Sequence, residues 1–241
     1  MGYRETPPAL PLRHLVAAYW CIERGEPDAG GMHRVLPDGC ADLICDFSGG
    51  FLHARWVGTM TRAVRVPVVA QRLFGIRFVS GGLFPLLGVP LSLLADNTVD
   101  LDALQAGRWR PPLDAWRDAK DFRACCALAD ASLMAVLGRL AGDDIMALLR
   151  GLRHADVLPT VAELSQRTGL GMRSLQRRFM ESLGVSPRQH LRYLRFERAR
   201  QLLEARRSRI VDVALAAGYS DQAHFVREFA RFTGVTPGRW R

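Results

Sequence analysis

Lysine is almost missing from this sequence. Lys120 is the one lysine among 33 basic side chains, a bias that codon usage in a GC-rich genome explains. Its physical consequence is that cationic chemistry falls to arginine, whose planar fork suits phosphate and guanine where lysine offers a point charge. Long apolar runs are also missing. No stretch of eighteen apolar residues occurs, so no membrane-spanning helix is expected. The opening MGYRETPPALPLRH has no apolar core after its charges and does not read as a secretory signal. Gly2 and Thr6 match a myristoylation pattern only in part. Cysteine is sparse and odd in number, at 21, 40, 45, 125 and 126, with two of the five adjacent. These features exclude a disulfide scaffold and predict a cytoplasmic protein with reduced thiols.

The chain has 241 residues, 49% of them hydrophobic and 24% charged, the composition of a globular protein of one large or two ordinary domains. Its net charge of +9 is unevenly placed. Residues 153–241 hold 17 Arg against 8 acidic side chains, and residues 1–152 are neutral. A neutral domain joined to a basic one fits a sensor or scaffold attached to a polyanion binder.

In the N-terminal part, Val16–Ile22, Ala41–Phe47, Trp56-Val57, Val64–Val69 and Leu73–Val79 are β-branched or aromatic runs. Turn signals such as Pro37-Asp38-Gly39, Gly49-Gly50 and Gly81-Gly82 separate them. A small, mostly antiparallel β domain or partial barrel is expected, covered by one or two short helices over Leu83–Leu94. Prolines 111 and 112 mark a joint. From Leu113 to Leu152, Trp116, Phe122, Leu128, Leu133, Met134, Leu137 and Leu140 recur at helical spacings. They predict one or two amphipathic helices, either a spacer packed on its own chain or a dimerisation surface. The fold class is therefore α+β: a β-rich domain over 1–110, a helical linker over 111–152, and an all-α domain over 153–241.

The last third contains an internal repeat. GLGMRSLQRRFMESLGVSP (169–187) returns as GYSDQAHFVREFARFTGVTP (218–237), with Phe179, Gly184 and Pro187 matching Phe229, Gly234 and Pro237 fifty residues on. Upstream, Val161, Glu163, Leu164 and Gly169 match Ile210, Asp212, Val213 and Gly218. Such self-similarity marks a duplicated supersecondary unit. Thr160 with Glu163 forms a capping box, and Ser186 followed by Pro187 and Gln189 opens a long helix to about Leu203. Ser220 is the expected cap of the helix that follows it. Each copy reads as helix, glycine turn, second helix: Val161–Thr168 then Met172–Leu183, and Ile210–Ala217 then Asp221–Phe232. Ser165 and Ala214 are small where the helices must cross closely. This is the helix-turn-helix pattern, whose second helix enters a major groove.

The second helices carry two faces. Leu175, Phe179 and Leu183 form an apolar stripe in the first copy, as do Phe225, Phe229 and Phe232 in the second. Arg173, Gln176 and Arg177 are left on the outer face of one, and Gln222, Ala223, Val226 and Arg227 on that of the other. Arginine reads guanine and glutamine reads adenine with paired hydrogen bonds, each worth about 1–3 kcal/mol of discrimination, while Ala223 and Val226 suit a thymine methyl. Of the two heads, the arginine-rich first is expected to dominate affinity.

Residues 153–241 resemble the DNA-binding domain of AraC/XylS-family transcription regulators. Two helix-turn-helix units joined by a long helix, ending in GYSDQAHFVREFARFTGVTPGRWR, carry the likeness. The resemblance implies a sequence-specific, cytoplasmic transcriptional activator that places two recognition helices in successive major grooves roughly 34–36 Å apart. By motif position it implies base contacts from Arg173, Gln176, Arg177, Gln222, Ala223, Val226 and Arg227, and phosphate contacts from Arg178, Arg188, His190 and Arg192. Its implied partners are double-stranded DNA and RNA polymerase, with a small-molecule effector and a second copy of the chain as further candidates. It implies no catalytic residue, metal or cofactor. Gly171 departs from the pattern where a capping Ser is common, and Arg173 occupies a variable position.

The N-terminal part resembles a poorly characterised β domain at the front of some AraC-type regulators. Ala18-Tyr19-Trp20, the run Val35 to Leu43, Val57-Gly58, Gly75 to Phe78 and Leu86 to Pro90 carry that likeness. Trp20, Trp56, Phe74 and Phe78 could line an effector pocket or fill a core. His33, Cys40, Asp42, Cys45, Asp46 and His53 supply donors for an alternative, a thiol- or metal-sensing regulator. Cysteine-based DNA-alkylation repair, the enzymatic alternative, resembles a zinc site of four cysteines in paired short spacings, and Cys40-x4-Cys45 has neither the number nor the spacing.

Overall fold

The structure, a computed structural model, describes residues 2–24, 31–50, 52–67, 71–104, 107–140, 144–205 and 209–240. Its N-terminal half is built on a six-stranded antiparallel sheet. The strands are β1 (Gly2–Thr6), β2 (Val16–Arg24), β4 (Ala41–Asp46), β5 (His53–Val57), β7 (Gln71–Phe78) and β8 (Thr98–Asp100). They are ordered β1-β2-β7-β4-β5-β8, and β3 (Met32–Val35) pairs with β6 (Val64–Pro67) in a separate ribbon. The expected 64–69 run ends as a described strand at Pro67, and residues 68 and 69 lie outside the described residues. Alternation sets the core face: Ala41, Leu43 and Cys45 of β4 point inward and every second residue does not. The sequence pattern did not reveal β1, β3 and β8. The first is a polar edge strand, and the other two are too short to show a period.

Short helix α1 (Phe84–Leu87) and a 3-10 turn at Leu91–Leu93 fall where covering helices are expected. The 111–152 segment is shared between two cores. Helices α2 (Leu113–Arg117) and α3 (Phe122–Leu137) pack on the sheet. Trp116 meets Phe74 edge-on with ring centres 5.2 Å apart. Asp130 of α3 accepts hydrogen bonds from the Tyr19 hydroxyl (2.8 Å) and the Ala9 amide (3.0 Å). Helix α4 (Asp144–His154) instead puts Ile145, Met146, Leu149 and Leu152 into the C-terminal core. Most of the apolar stripe is thus consumed within the chain, with Met134 left exposed.

The C-terminal core joins α5 (Val161–Thr168), α6 (Met172–Leu183), α7 (Pro187–Ala205), α8 (Ile210–Ala216) and α9 (Gln222–Thr233) in one cluster, with α7 packed against α6, α8 and α9. The short α10 (Pro237–Trp240) closes over α9, where Trp240 meets Phe229 edge-on. Phe196 of α7 stacks on Phe232 at 4.6 Å and leans on Phe229 at 5.4 Å.

Candidate nucleic-acid interface

Each helix-turn-helix unit is fixed by local chemistry. The Thr160 hydroxyl accepts from the Glu163 amide (3.2 Å) while the Glu163 carboxylate accepts from the Thr160 amide (2.6 Å), a capping box that satisfies two otherwise orphaned donors. Gly169 ends α5 with φ 65°, a left-handed conformation that glycine adopts without steric cost. Ser165 closes the turn by donating to the Leu170 carbonyl at 2.5 Å. Gly171 is the N-cap of α6 and offers no side-chain oxygen. In the second unit Asp221, rather than Ser220, is the cap. Its carboxylate accepts from the His224 amide at 2.7 Å, and the Ser220 hydroxyl donates to that carboxylate. Ser186 caps α7 by accepting from the Gln189 amide at 3.1 Å.

The two recognition helices divide their faces as the spacing predicts. Leu175, Phe179 and Leu183 of α6 and Phe225, Phe229 and Phe232 of α9 are buried. Arg173, Gln176 and Arg177 are exposed on α6, as are Gln222, Ala223 and Arg227 on α9, with Val226 half-buried. Arg177 lies 3.9 Å from the water-exposed carboxylate of Glu181, a geometry of small energetic consequence.

The phosphate set fares unevenly. Arg188 is exposed beside the start of α7 and Arg178 is half-buried. His190 is 3% exposed, set between the rings of Phe179 and Tyr193 at 5.9 and 6.2 Å. Burial, helped by the nearby Arg153 charge, pushes its pKa down to about 4, so the ring is neutral and belongs to the core. Arg192 turns inward to α9, where its Nε donates to Glu228 Oε1 at 2.5 Å and its guanidinium completes an ion pair. Helix packing thus turns both His190 and Arg192 toward the protein interior, away from the positions expected of phosphate contacts. Glu228 carries no apolar signal and was invisible in the sequence as a structural partner.

The N-terminal expectations resolve by packing. Trp20, Trp56, Phe74 and Phe78 are core residues. Of these, Trp56 also lines an open cleft of about 540 Å³ with Leu87, Leu101, Trp109, Pro111 and Leu113. The proposed sensing donors do not converge. His33 is on the β3 ribbon, Asp46 caps the Ser48 amide, and Asp42 accepts from Trp20 Nε1. Among the described residues no three His, Cys, Asp or Glu side chains come together as a metal site. All five cysteines are buried free thiols. Burial raises the pKa of Cys40 and Cys45, and it pushes Cys125 to about 11 and Cys126 to about 12, away from the thiolate that reactivity requires.

Comparison with known proteins places these features in context. Residues 164–241 match the family described as Helix-turn-helix domain, and residues 4–100 match Domain of unknown function (DUF6597). An uncharacterized HTH-type transcriptional regulator of Staphylococcus aureus (strain MSSA476) is 38% identical over 88 residues, covering 36% of this chain and 12% of that protein. The HTH-type transcriptional regulator ExsA of Pseudomonas aeruginosa is 31% identical over 129 residues, covering 48% and 46%. The chain thus spans less than half the length of these curated relatives. Among solved structures, transcriptional regulator CdpR from Pseudomonas aeruginosa aligns over 71% of this chain and 45% of its own at 25% identity and TM-score 0.38. ToxT from Vibrio cholerae aligns over 99% and 96% at 11% identity and TM-score 0.42. Residues 164–241 are thus similar to helix-turn-helix domains, and residues 4–100 to the DUF6597 family.

Proposed function

We propose that this chain is a sequence-specific DNA-binding regulator of transcription, acting in the cytoplasm and seating α6 and α9 in successive major grooves of one duplex. The observation that carries the reading is the duplication itself. Two helix-turn-helix units expose matched faces, Arg173, Gln176 and Arg177 on one and Gln222, Ala223 and Arg227 on the other, within the part of the chain that holds its excess positive charge. Arg188 and Arg178 serve the backbone phosphates, and Val226 packs on a thymine methyl. RNA polymerase is the protein partner that such a role requires.

Control by a small molecule at the N-terminal domain finds support in the cleft beside Trp56 and Trp109. Leu87 lines that cleft, and Leu91, four residues further on, touches Gly184 at the end of α6. An occupant would therefore act within one turn of chain from a reading head.

The test is selection of bound fragments from genomic DNA by the full chain, followed by salt titration of the best fragment. The expected outcome is a two-part motif and an affinity that falls linearly with salt on logarithmic axes. Recovery of no common sequence, or an affinity indifferent to salt, overturns the reading.

A further inference from the structure

The two recognition helices end alike. Gly184 closes α6 with φ 77° and Gly234 closes α9 with φ 74°, and these are equivalent positions of the repeat. Both ends rest on the N-terminal domain. A Cβ at Gly184 would lie 2.6 Å from the Leu91 carbonyl oxygen and 3.2 Å from the Ala95 Cβ, so the 3-10 turn is seated against the end of α6. At the other unit, Arg34 of β3 donates from Nη1 to the Thr233 carbonyl at 2.6 Å. Its guanidinium lies 3.6–3.8 Å from where a Gly234 Cβ would be. The last carbonyls of a helix have no partner within it and carry its negative end. A guanidinium there satisfies an orphan acceptor and meets the helix field with the right sign.

Two further close approaches strengthen this seam. The Pro37-Asp38-Gly39 turn meets the Tyr193 ring of α7 with no room for a side chain at Gly39. A Cβ at Gly81 would lie 2.9 Å from Leu149 Cδ1 and 3.0 Å from Met146 Sδ of α4. The β domain therefore grips both reading heads and the helices that carry them.

We infer that Arg34 is a positioning residue for DNA recognition: by holding the C-terminal end of α9 it sets the angle of the second reading head relative to the first, and with it the spacing between the two half-sites. This rests on the DNA-binding reading above. Geometry makes the effect large. A twelve-residue helix is roughly 18 Å long, and Gln222 to Arg227 span the half of α9 away from Arg34. Rotation by about 10° about the held end moves Gln222 roughly 3 Å, close to the ~3.4 Å rise of one base pair, and moves Arg227 about half as far. Arg34 thus governs spacing without touching a base.

The experiment selects bound sites from a random double-stranded DNA library with the full chain and with Arg34→Ala and Arg34→Lys. Wild type, Arg34→Ala and Arg34→Lys are then titrated on the selected site and on versions lengthened or shortened by one base pair between half-sites. Arg34→Ala should keep the bases chosen in each half-site but lose at least fivefold of the discrimination between spacings. Arg34→Lys, which keeps a cation able to reach the carbonyl, should restore most of it. In parallel, amide exchange over residues 230–236 should speed up at least tenfold in Arg34→Ala, with α6 unchanged. A folded Arg34→Ala chain with the wild-type spacing preference and exchange overturns the inference. If Arg34→Ala does not fold, Arg34→Gln takes its place under the same criteria. If the wild-type chain selects no site at all, the DNA-binding reading has failed instead, and the exchange measurement still decides whether Arg34 holds the end of α9.

Discussion

Arg192 and Glu228 join the long helix to the second recognition helix. Arg192 Nε lies 2.5 Å from Glu228 Oε1, with 23% of the arginine side chain and 10% of the glutamate side chain exposed. The pair is a strut inside the C-terminal domain, in a position where motif analogy places a phosphate contact. Arg192→Ala should cost about 3 kcal/mol, because it leaves a carboxylate buried without its cation. Adding Glu228→Gln should recover part of that loss. Denaturant unfolding of the single and double variants measures both. The salt dependence of DNA binding should keep its wild-type slope, and a slope lowered by one would return Arg192 to the phosphate set.

The exposed arginines should behave differently. Arg177→Ala and Arg227→Ala should each lose about 1–3 kcal/mol on the selected site and much less on random DNA. The first head should be the more costly, since it presents Arg173 and Arg177 together. Arg188→Ala should weaken both kinds of binding and lower the salt slope by about one. Fluorescence anisotropy on matched specific and random duplexes compares them. An Arg227→Ala loss exceeding that of Arg177→Ala reverses the ranking.

His190 gives the domain an acid limit. Its folded pKa, about 4, lies below the unfolded value of 6.5, so the unfolded chain takes up the proton first. Its contribution is intact above pH 6.5 and is lost progressively as pH falls toward 4. The full difference is roughly 3 kcal/mol. His190→Leu should flatten that part of the stability–pH curve, read by urea unfolding between pH 4 and 7. An unchanged slope there would assign the acid limb to other groups.

The buried thiols should be silent. Native protein should react with a thiol reagent only on the timescale of unfolding, whereas denatured protein should give all five thiols at once. Mild oxidants should leave DNA affinity unchanged. Fast modification of Cys40 or Cys45 in the native state, with a matching change in DNA binding, would restore the sensing alternative.

Features that arise within a turn or two of chain were legible in the order of residues alone. Thr160 with Glu163, Ser186 with Pro187, and the turn glycines 169 and 218 are local bargains between side chain and backbone, so their spacing places the helices. The apolar stripes of α6 and α9 follow equally from a 3.6-residue period, which is why Arg177 and Arg227 could be put on the outer faces.

Elements that touch several neighbours became readable only once packed. Helix α7 buries His190, Leu191, Tyr193, Leu194, Phe196 and Ala199, because both helix-turn-helix units and the β domain pack around it. No single polar face remains to read from its pattern, so the burial of His190 and the pairing of Arg192 with Glu228 left no signal there. The capping of α9 by Asp221 in place of Ser220 turned on one residue of register. Arg34 reaches Thr233 across 199 positions, and helices α3 and α4 divide between two cores. Such relations depend on how chain segments meet in space, and spacing along the chain carries no trace of them.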